Sequence, residues 1–321
     1  MEALSGNVPE VVTFGEAMAL FSSADTRGLE YAQTVMKSFG GAESNVAIGL
    51  ARLGHRVGWC GRLGRDPLGQ HIVKAIRGEG VDVSRVEMAP DAPTGLMLRE
   101  LVAQKSSVYY YRAGSAASRM TPGHLDKDYI RSARLLHVTG ITCALSDSCA
   151  EAVYEAVAVA KAAGVKVSFD PNLRLKLWTV EAAREKLLPL AREADYFLPG
   201  LDELKLLYGT EDEQGIFRRL SELPGVSIVK GGPGMNYVVQ GSLIEEIPYE
   251  LVEHVVDTVG AGDAFCAGFL SGILQGANAV EAVRLANITG AMVVQAFGDW
   301  EALPTAEQLQ AVLNRAVHIE R

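Results

Sequence analysis

Short runs of β-branched and aromatic residues alternate with longer alanine-rich amphipathic stretches along most of this chain, and that rhythm leaves few folds open. Residues 11–14 read as a strand, 45–53 as a helix, 57–60 as a strand and 71–77 as a helix. The pattern returns with a strand at 135–138, a helix at 149–163 closed by Gly164, a strand at 165–169 and a helix at 181–193. Residues 196–198 and 226–230 add strands, and from Ala261 onward the period is helical, near 263–274, 279–296 and 305–317. Parallel strands need a crossover of a dozen or more residues, usually a helix, so this order predicts βαβ units and an α/β fold with a mainly parallel central sheet.

Two segments break the rhythm, roughly 28–39 and 94–111. In the second, Leu96, Leu98, Val108 and Tyr110 alternate with other residues as in exposed antiparallel strands, with Lys105, Ser106 and Ser107 expected as the hairpin turn. Together they predict a small β-sheet lid on the main domain. The chain shows no internal repeat or low-complexity linker, so one domain over residues 1–321 is expected.

A net charge of −9 argues against a nucleic-acid binder, which needs a basic face, and an anionic substrate would need local arginines. Cys60, Cys143, Cys149 and Cys266 are dispersed and form no C-x-x-C pair, which points away from zinc and disulfides and toward a reducing cytoplasm. The first ten residues lack a basic cluster before an apolar core, and no apolar run is long enough to span a bilayer, so a soluble protein without membrane association is expected.

The strongest local signal is Asp257-Thr258-Val259-Gly260-Ala261-Gly262-Asp263-Ala264-Phe265, a turn of small residues running into an apolar helix. Gly260 and Gly262 clear space for a ligand, and the free N–H groups of a first helical turn point at it with the positive end of the helix dipole. A carboxylate there would repel phosphate unless its task is to take a proton from an attacking hydroxyl, which makes Asp263 a candidate general base. An aspartate cap with glycines for packing fits the same residues. No G-x-x-x-x-G-K-[ST] occurs, and Phe265 stands where a dinucleotide fingerprint needs glycine.

The same segment resembles the C-terminal signature of the ribokinase-like carbohydrate kinases, the PfkB family. Gly40-Gly41-Ala42-Glu43-Ser44-Asn45-Val46-Ala47, Leu50-Ala51-Arg52-Leu53-Gly54 and Gly61-Arg62-Leu63-Gly64-Arg65-Asp66-Pro67-Leu68-Gly69 resemble its N-terminal signature. The resemblance implies a three-layer fold with a β-lid, ATP and Mg²⁺ as cofactors, and a small sugar or sugar acid as substrate. It implies Asp263 as base and Gly260, Ala261 and Gly262 as the anion hole, which also holds the nucleotide. It places Gly41, Ala42, Glu43, Ser44 and Asn45 at the sugar, although a Gly-Gly turn before an alanine-rich helix fits them too. Lys230-Gly231-Gly232-Pro233-Gly234 is similar to the nucleotide-side turn or is a plain strand exit, and Asn287 is an adenine-side candidate or a surface residue. The family's N-x-x-E motif falls at Gly200-Leu201-Asp202-Glu203, where Glu203 is retained to order magnesium through water and Gly200 replaces the asparagine.

Asp170-Pro171-Asn172-Leu173-Arg174 and Tyr109-Tyr110-Tyr111-Arg112 each deliver an arginine toward the ligand face. Guanidinium groups bind carboxylates in a planar fork, so a sugar acid is expected, although a surface salt bridge fits either arginine alone. Within the family this combination is similar to the subgroup that converts 2-keto-3-deoxygluconate to its 6-phosphate, with fructokinase as the alternative. That likeness implies substrate contacts at Tyr110, Arg112, Ile141, Arg174 and Asp299, and nucleotide contacts at Asn172 and Arg174. Met97 stands where the subgroup carries a tyrosine. An exposed lid edge predicts a homo-oligomer.

Overall fold

The computed structural model describes residues 8–23, 25–102, 105–232 and 234–319. Eight strands form the central sheet, in the order Leu243–Pro248, Met235–Gln240, Val226–Val229, Tyr196–Phe197, Lys166–Asp170, Leu135–Thr139, Val11–Phe14 and Val57–Cys60. The six from Val226–Val229 to Val57–Cys60 run parallel, and the other two join antiparallel at one edge. That antiparallel pair was absent from the expected elements. Its outermost strand is exposed at five of six positions, so it carries none of the continuous apolar character by which buried parallel strands are recognised.

Successive residues of the inner strands serve opposite faces. Val12 and Leu136 pack in one core with Cys149, Val153, Leu187 and Leu190, under the helices Asp147–Ala162 and Val180–Glu193. Val11 and Leu135 pack in the other with Val46, Leu50, Phe265 and Phe269, under the helices Ala42–Arg52 and Ala261–Leu274. The strand Val11–Phe14 lies between Val57–Cys60 and Leu135–Thr139, so its two neighbours are reached in opposite directions. In open α/β sheets such a switch point opens a crevice beyond the carboxyl ends of the strands, where ligands bind.

The lid is a four-stranded sheet in the order Met36–Gly40, Met18–Ser23, Leu96–Val102 and Lys105–Tyr111. Three sequence expectations change here. Only Met36–Gly40 of the segment 28–39 is a strand, because the preceding residues lack alternation and run through turns. Met18–Ser23 forms an inner lid strand that was not anticipated, with Met18 and Leu20 in a small apolar cluster with Met97. Lys105, Ser106 and Ser107 are not a turn but the start of a strand. The ladder runs on to Val102 opposite Lys105, since each added pair satisfies backbone groups, and the connection at 103–104 lies outside the described residues. Among the described residues no helix is long and apolar enough to cross a membrane.

Candidate active site

Three chain segments converge beyond the end of the strand Val11–Phe14. The helix Ala42–Arg52 starts where Gly41 lies so close to the backbone of Glu16 that a Cβ would sit 2.2 Å from its carbonyl oxygen. The helix Ala261–Leu274 starts at Gly260, with Asp263 in its first turn. The 297–299 segment brings in Asp299. Asn45 ties the three together: its Nδ2 donates to Asp263 Oδ2 at 2.8 Å and to Asp299 Oδ1 at 2.7 Å. Both hydrogens of the amide are thereby used, and its buried Oδ1 has no partner among the described residues.

Burial pushes the Asp263 carboxyl up to about 8, reinforced by the charge of Asp299 and opposed by the amide of Asn45 and by Arg174. Burial likewise pushes Asp299 up to about 7, with the charge of Glu301 adding to it. The glycines of the turn differ. Gly260 has φ 78°, and a Cβ on it would lie 2.2 Å from the carbonyl oxygen of Asp299, so its absence of side chain serves the fold. A Cβ on Gly262 would meet nothing within 4 Å. The N–H of Ala264 is taken by Gly260 O at 2.8 Å and that of Ala261 by Thr258 O at 3.4 Å, while those of Gly262 and Asp263 have no protein acceptor among the described residues. Open space, free donors and a helix N-terminus coincide at Gly262, which is what an anion needs.

A second charged group stands farther along the strand ends. Lys230 Nζ donates to Asp170 Oδ2 at 2.7 Å, and Cys266 Sγ approaches the same oxygen at 3.3 Å. Burial opposes ionisation of Asp170, but Lys230 outweighs it and lowers the carboxyl below its ordinary range. Glu203 accepts from Leu173 N and Gly200 N, each at 2.6 Å, and is raised by burial and by the charge of Asp170. Gly200 therefore meets Glu203 through its backbone, where an asparagine would have offered a side chain. Asn172 is held at φ 38°, the only non-glycine at positive φ among the described residues, in a turn whose N–H bonds to Asp170 Oδ1 at 2.9 Å. Backbone strain of this kind persists where the surroundings enforce it and gathers at functional sites.

The two arginines are placed unequally. Arg112 is buried, with Nε donating to Glu16 Oε2 at 2.6 Å and its other end also against that oxygen. Ser115 Oγ satisfies Glu16 Oε1 at 2.7 Å. Arg174 is exposed and makes no ion pair among the described residues, so its charge is available. The Arg112 guanidinium and Lys176 Nζ each lie over the Tyr110 ring, 5.5 and 5.7 Å from its centroid. Ile141 lies in the first turn of the short helix Gly140–Leu145 after the strand Leu135–Thr139, its N–H bonded to Thr139 Oγ1 at 3.2 Å. Met97 is buried, and a Cβ on Gly40 would come within 2.7 Å of its methyl.

Glu43, Ser44 and Ala42 do not line open space. Glu43 is fully enclosed and accepts from Thr139 and Thr142 hydroxyls, each at 2.6 Å, while Ser44 turns back to Gly41 O at 2.9 Å. These residues face inward because the helix is buried over its first nine positions. Asn287 is buried rather than a surface residue. Its Nδ2 donates to Pro248 O at 2.7 Å, its Oδ1 accepts from Asn236 at 2.6 Å, and Asn236 in turn accepts from Gly231 N at 3.2 Å. That chain of bonds shapes the loop of Gly231, Gly232 and Gly234; Pro233 lies outside the described residues.

Three features escaped the sequence reading: Glu16 as the buried partner of Arg112, Asp170 as the partner of Lys230, and a lid pair between Arg99 and Asp257. The available signal for Glu16 was a single acidic residue inside an apolar stretch that leaves a buried strand.

Residues 8–306 match the family described as pfkB family carbohydrate kinase. The chain is 42% identical over 318 residues to a 2-dehydro-3-deoxygluconokinase of Bacillus subtilis (strain 168), covering 96% of this chain and 97% of that protein. It is 34% identical over 324 residues to a probable fructokinase-6, chloroplastic, of Arabidopsis thaliana, covering 96% and 83%. Its fold is similar to a crystal structure of a PfkB protein from Polaromonas sp. JS666, with a TM-score of 0.86, 38% identity and coverage of 94% and 99%.

Proposed function

The chain belongs to the pfkB family of carbohydrate kinases, and on that premise we propose that it transfers the terminal phosphate of ATP to 2-keto-3-deoxygluconate, giving the 6-phosphate, with Asp263 as general base. One observation carries the reading: a carboxyl raised to about 8 stands in the first turn of a helix beside the open position of Gly262. A general base works best with a pKa near the working pH. As the acceptor oxygen bonds to the terminal phosphorus and the bond from that phosphorus to the bridging oxygen breaks to release ADP, the acceptor's proton passes to Asp263, while Asn45 holds the carboxyl in place through Oδ2. The free N–H groups of Gly262 and Asp263 meet charge on the transferring oxygens. The carboxylates fit a magnesium ion held chiefly by phosphate and water, since Glu203 already accepts one N–H on each oxygen and has lone pairs left for a water. Magnesium, when bound, neutralises phosphate charge.

The unpaired Arg174 supports a carboxylate-bearing acceptor, held at the end remote from the reacting hydroxyl. Arg112 enters differently than as a second free cation, because Glu16 already neutralises it; its Nε and one terminal nitrogen are taken. That pairing also favours a second reading, a neutral sugar such as fructose. Turnover assays with both acceptors decide. Arg174→Leu is expected to cost about 1.5–3 kcal/mol of apparent binding for the sugar acid, the range of a charge-assisted hydrogen bond, and far less for fructose. A wild type that prefers fructose overturns the acid assignment. The lid edge strands Met36–Gly40 and Lys105–Tyr111 leave one side unpaired and expose Met36, Tyr109 and Tyr111, which supports self-association through the lid.

A further inference from the structure

The lid strand Leu96–Val102 presents alternate residues inward: Met97 and Arg99 are buried, while Leu96, Leu98 and Glu100 are half-buried. Arg99 reaches beyond its own sheet. One terminal nitrogen lies 2.9 and 2.8 Å from the two carboxylate oxygens of Asp257, and Nε donates to Ser106 Oγ at 3.1 Å. The guanidinium also lies over the Phe297 ring, 4.9 Å from its centroid. The side chains of Arg99 and Asp257 are only 7% and 6% exposed, so this is a desolvated pair and not a surface contact.

Asp257 opens the anion turn. Its Oδ1 accepts from Val259 N at 3.2 Å, inside the turn, so one carboxylate holds both the lid and the backbone that leads to Gly260. The N–H groups of Val256 and Asp257 bond to Val294 O at 2.8 and 3.2 Å, which fixes the base of the turn on the C-terminal end of the later helix Ala279–Val293. The lid, the turn and the Phe297–Asp299 loop therefore meet at one guanidinium. A buried ion pair adds little over an apolar pair of the same volume, yet leaving one partner bare is costly, so the contact is either made or broken.

We propose that Arg99 is a positioning residue that couples seating of the lid to the anion turn, so that acceptor and nucleotide assist each other's binding. The proposal rests on the kinase reading. With the lid seated, Tyr110 and Arg112 close on the acceptor and Arg99 neutralises Asp257. With the lid displaced, the acceptor loses those contacts, and a bare carboxylate stands at the base of the turn that receives phosphate. Each ligand thus favours the same state through its own contacts, and linkage makes the assistance equal in both directions.

The test is the dissociation constant of a non-hydrolysable ATP analogue with magnesium, measured by calorimetry with and without saturating acceptor. The acceptor is whichever of 2-keto-3-deoxygluconate and fructose the wild type phosphorylates. A wrong acceptor class then shows in turnover, and a wrong coupling shows in the binding ratio. In the wild type the analogue should bind roughly 5- to 150-fold more tightly with acceptor present, the usual range for coupled sites. Arg99→Met and Asp257→Asn should bring that ratio close to one. Arg99→Lys keeps the charge, is expected to fold even where the methionine variant does not, and should show an intermediate ratio because the Nε bond to Ser106 and the guanidinium over Phe297 are lost. A purely structural role would weaken binding with and without acceptor alike and leave the ratio unchanged. An unchanged ratio in the folded variants, or no synergy in the wild type, overturns the proposal.

Discussion

Asp170 ends an inner strand of the central sheet and Asp263 lies in the first turn of a helix near it, and their surroundings drive them in opposite directions. Asp170 has Lys230 at 2.7 Å and is lowered despite burial. Asp263 has the amide of Asn45 and the carboxylate of Asp299 as neighbours and is raised to about 8. An amide satisfies hydrogen bonds without cancelling charge, so the first carboxylate is built to stay ionised and the second to exchange a proton.

The largest expected effect breaks the second environment. Asp263→Asn should lower turnover about 10²–10⁴-fold while ATP affinity and fold persist, read by steady-state kinetics and calorimetry. Its stability should move the other way. A carboxyl with a folded pKa near 8 against an ordinary 3.8 binds its proton more firmly in the native state, so stability falls as pH rises between these values. Asparagine removes that loss, and the variant should melt above the wild type at pH 8 and level with it near pH 4. Near-normal turnover would remove Asp263 from the mechanism.

Breaking the first environment should cost stability. Lys230→Met leaves a buried carboxylate bare and is expected to cost about 3–5 kcal/mol by denaturant unfolding, with most of it regained in Lys230→Met combined with Asp170→Asn. A loss below about 1 kcal/mol in the single variant would mean that Asp170 is not held ionised by that lysine.

The two glycines of the anion turn sharpen the same contrast between framework and reaction space. Gly260→Val should destabilise by several kcal/mol, since it meets the Asp299 backbone and requires positive φ. Gly262→Val should leave the melting temperature nearly unchanged and abolish transfer, because its side chain enters open space at the anion site. Retained transfer in a folded Gly262→Val protein would put the phosphate elsewhere.

The smallest effects are in the pH profile. The proposed base role requires ionised Asp263, so kcat/KM of the wild type should fall on the acid side with an apparent pKa near 8. Asp299→Asn removes a charge that raises Asp263 and should move this limb to lower pH. Arg174→Leu removes a charge that lowers it and should move the limb to higher pH. A limb that both substitutions leave in place would assign it to another group.

Much of the framework was legible because its signals are local. Buried parallel strands are continuous apolar runs, and each of the inner strands from Val11–Phe14 to Lys166–Asp170 lies within a residue or so of its expected place. The glycine turn that opens the helix Ala261–Leu274 was legible for the same reason, since Gly260, Gly262 and Asp263 lie within four residues. The lid was only half legible. Its alternating segment showed in 94–111, but Met18–Ser23 is nearly all buried and reads as a continuation of the first core strand.

Periodicity and turn chemistry act over a few residues, and they were enough to predict the α/β order and to single out the turn at Gly260 and Gly262 with the carboxylate in it. Which charges are cancelled and which are left free was decided only by the tertiary structure. Lys230 finds Asp170 across 60 residues, Arg112 finds Glu16 across 96, and Arg99 finds Asp257 across 158. Arg174 carries the same side chain as Arg112 in an equally suggestive context, yet among the described residues no carboxylate pairs with it. The energy of a charge depends on what surrounds it within a few ångströms, and in this chain those neighbours come from distant parts of the sequence.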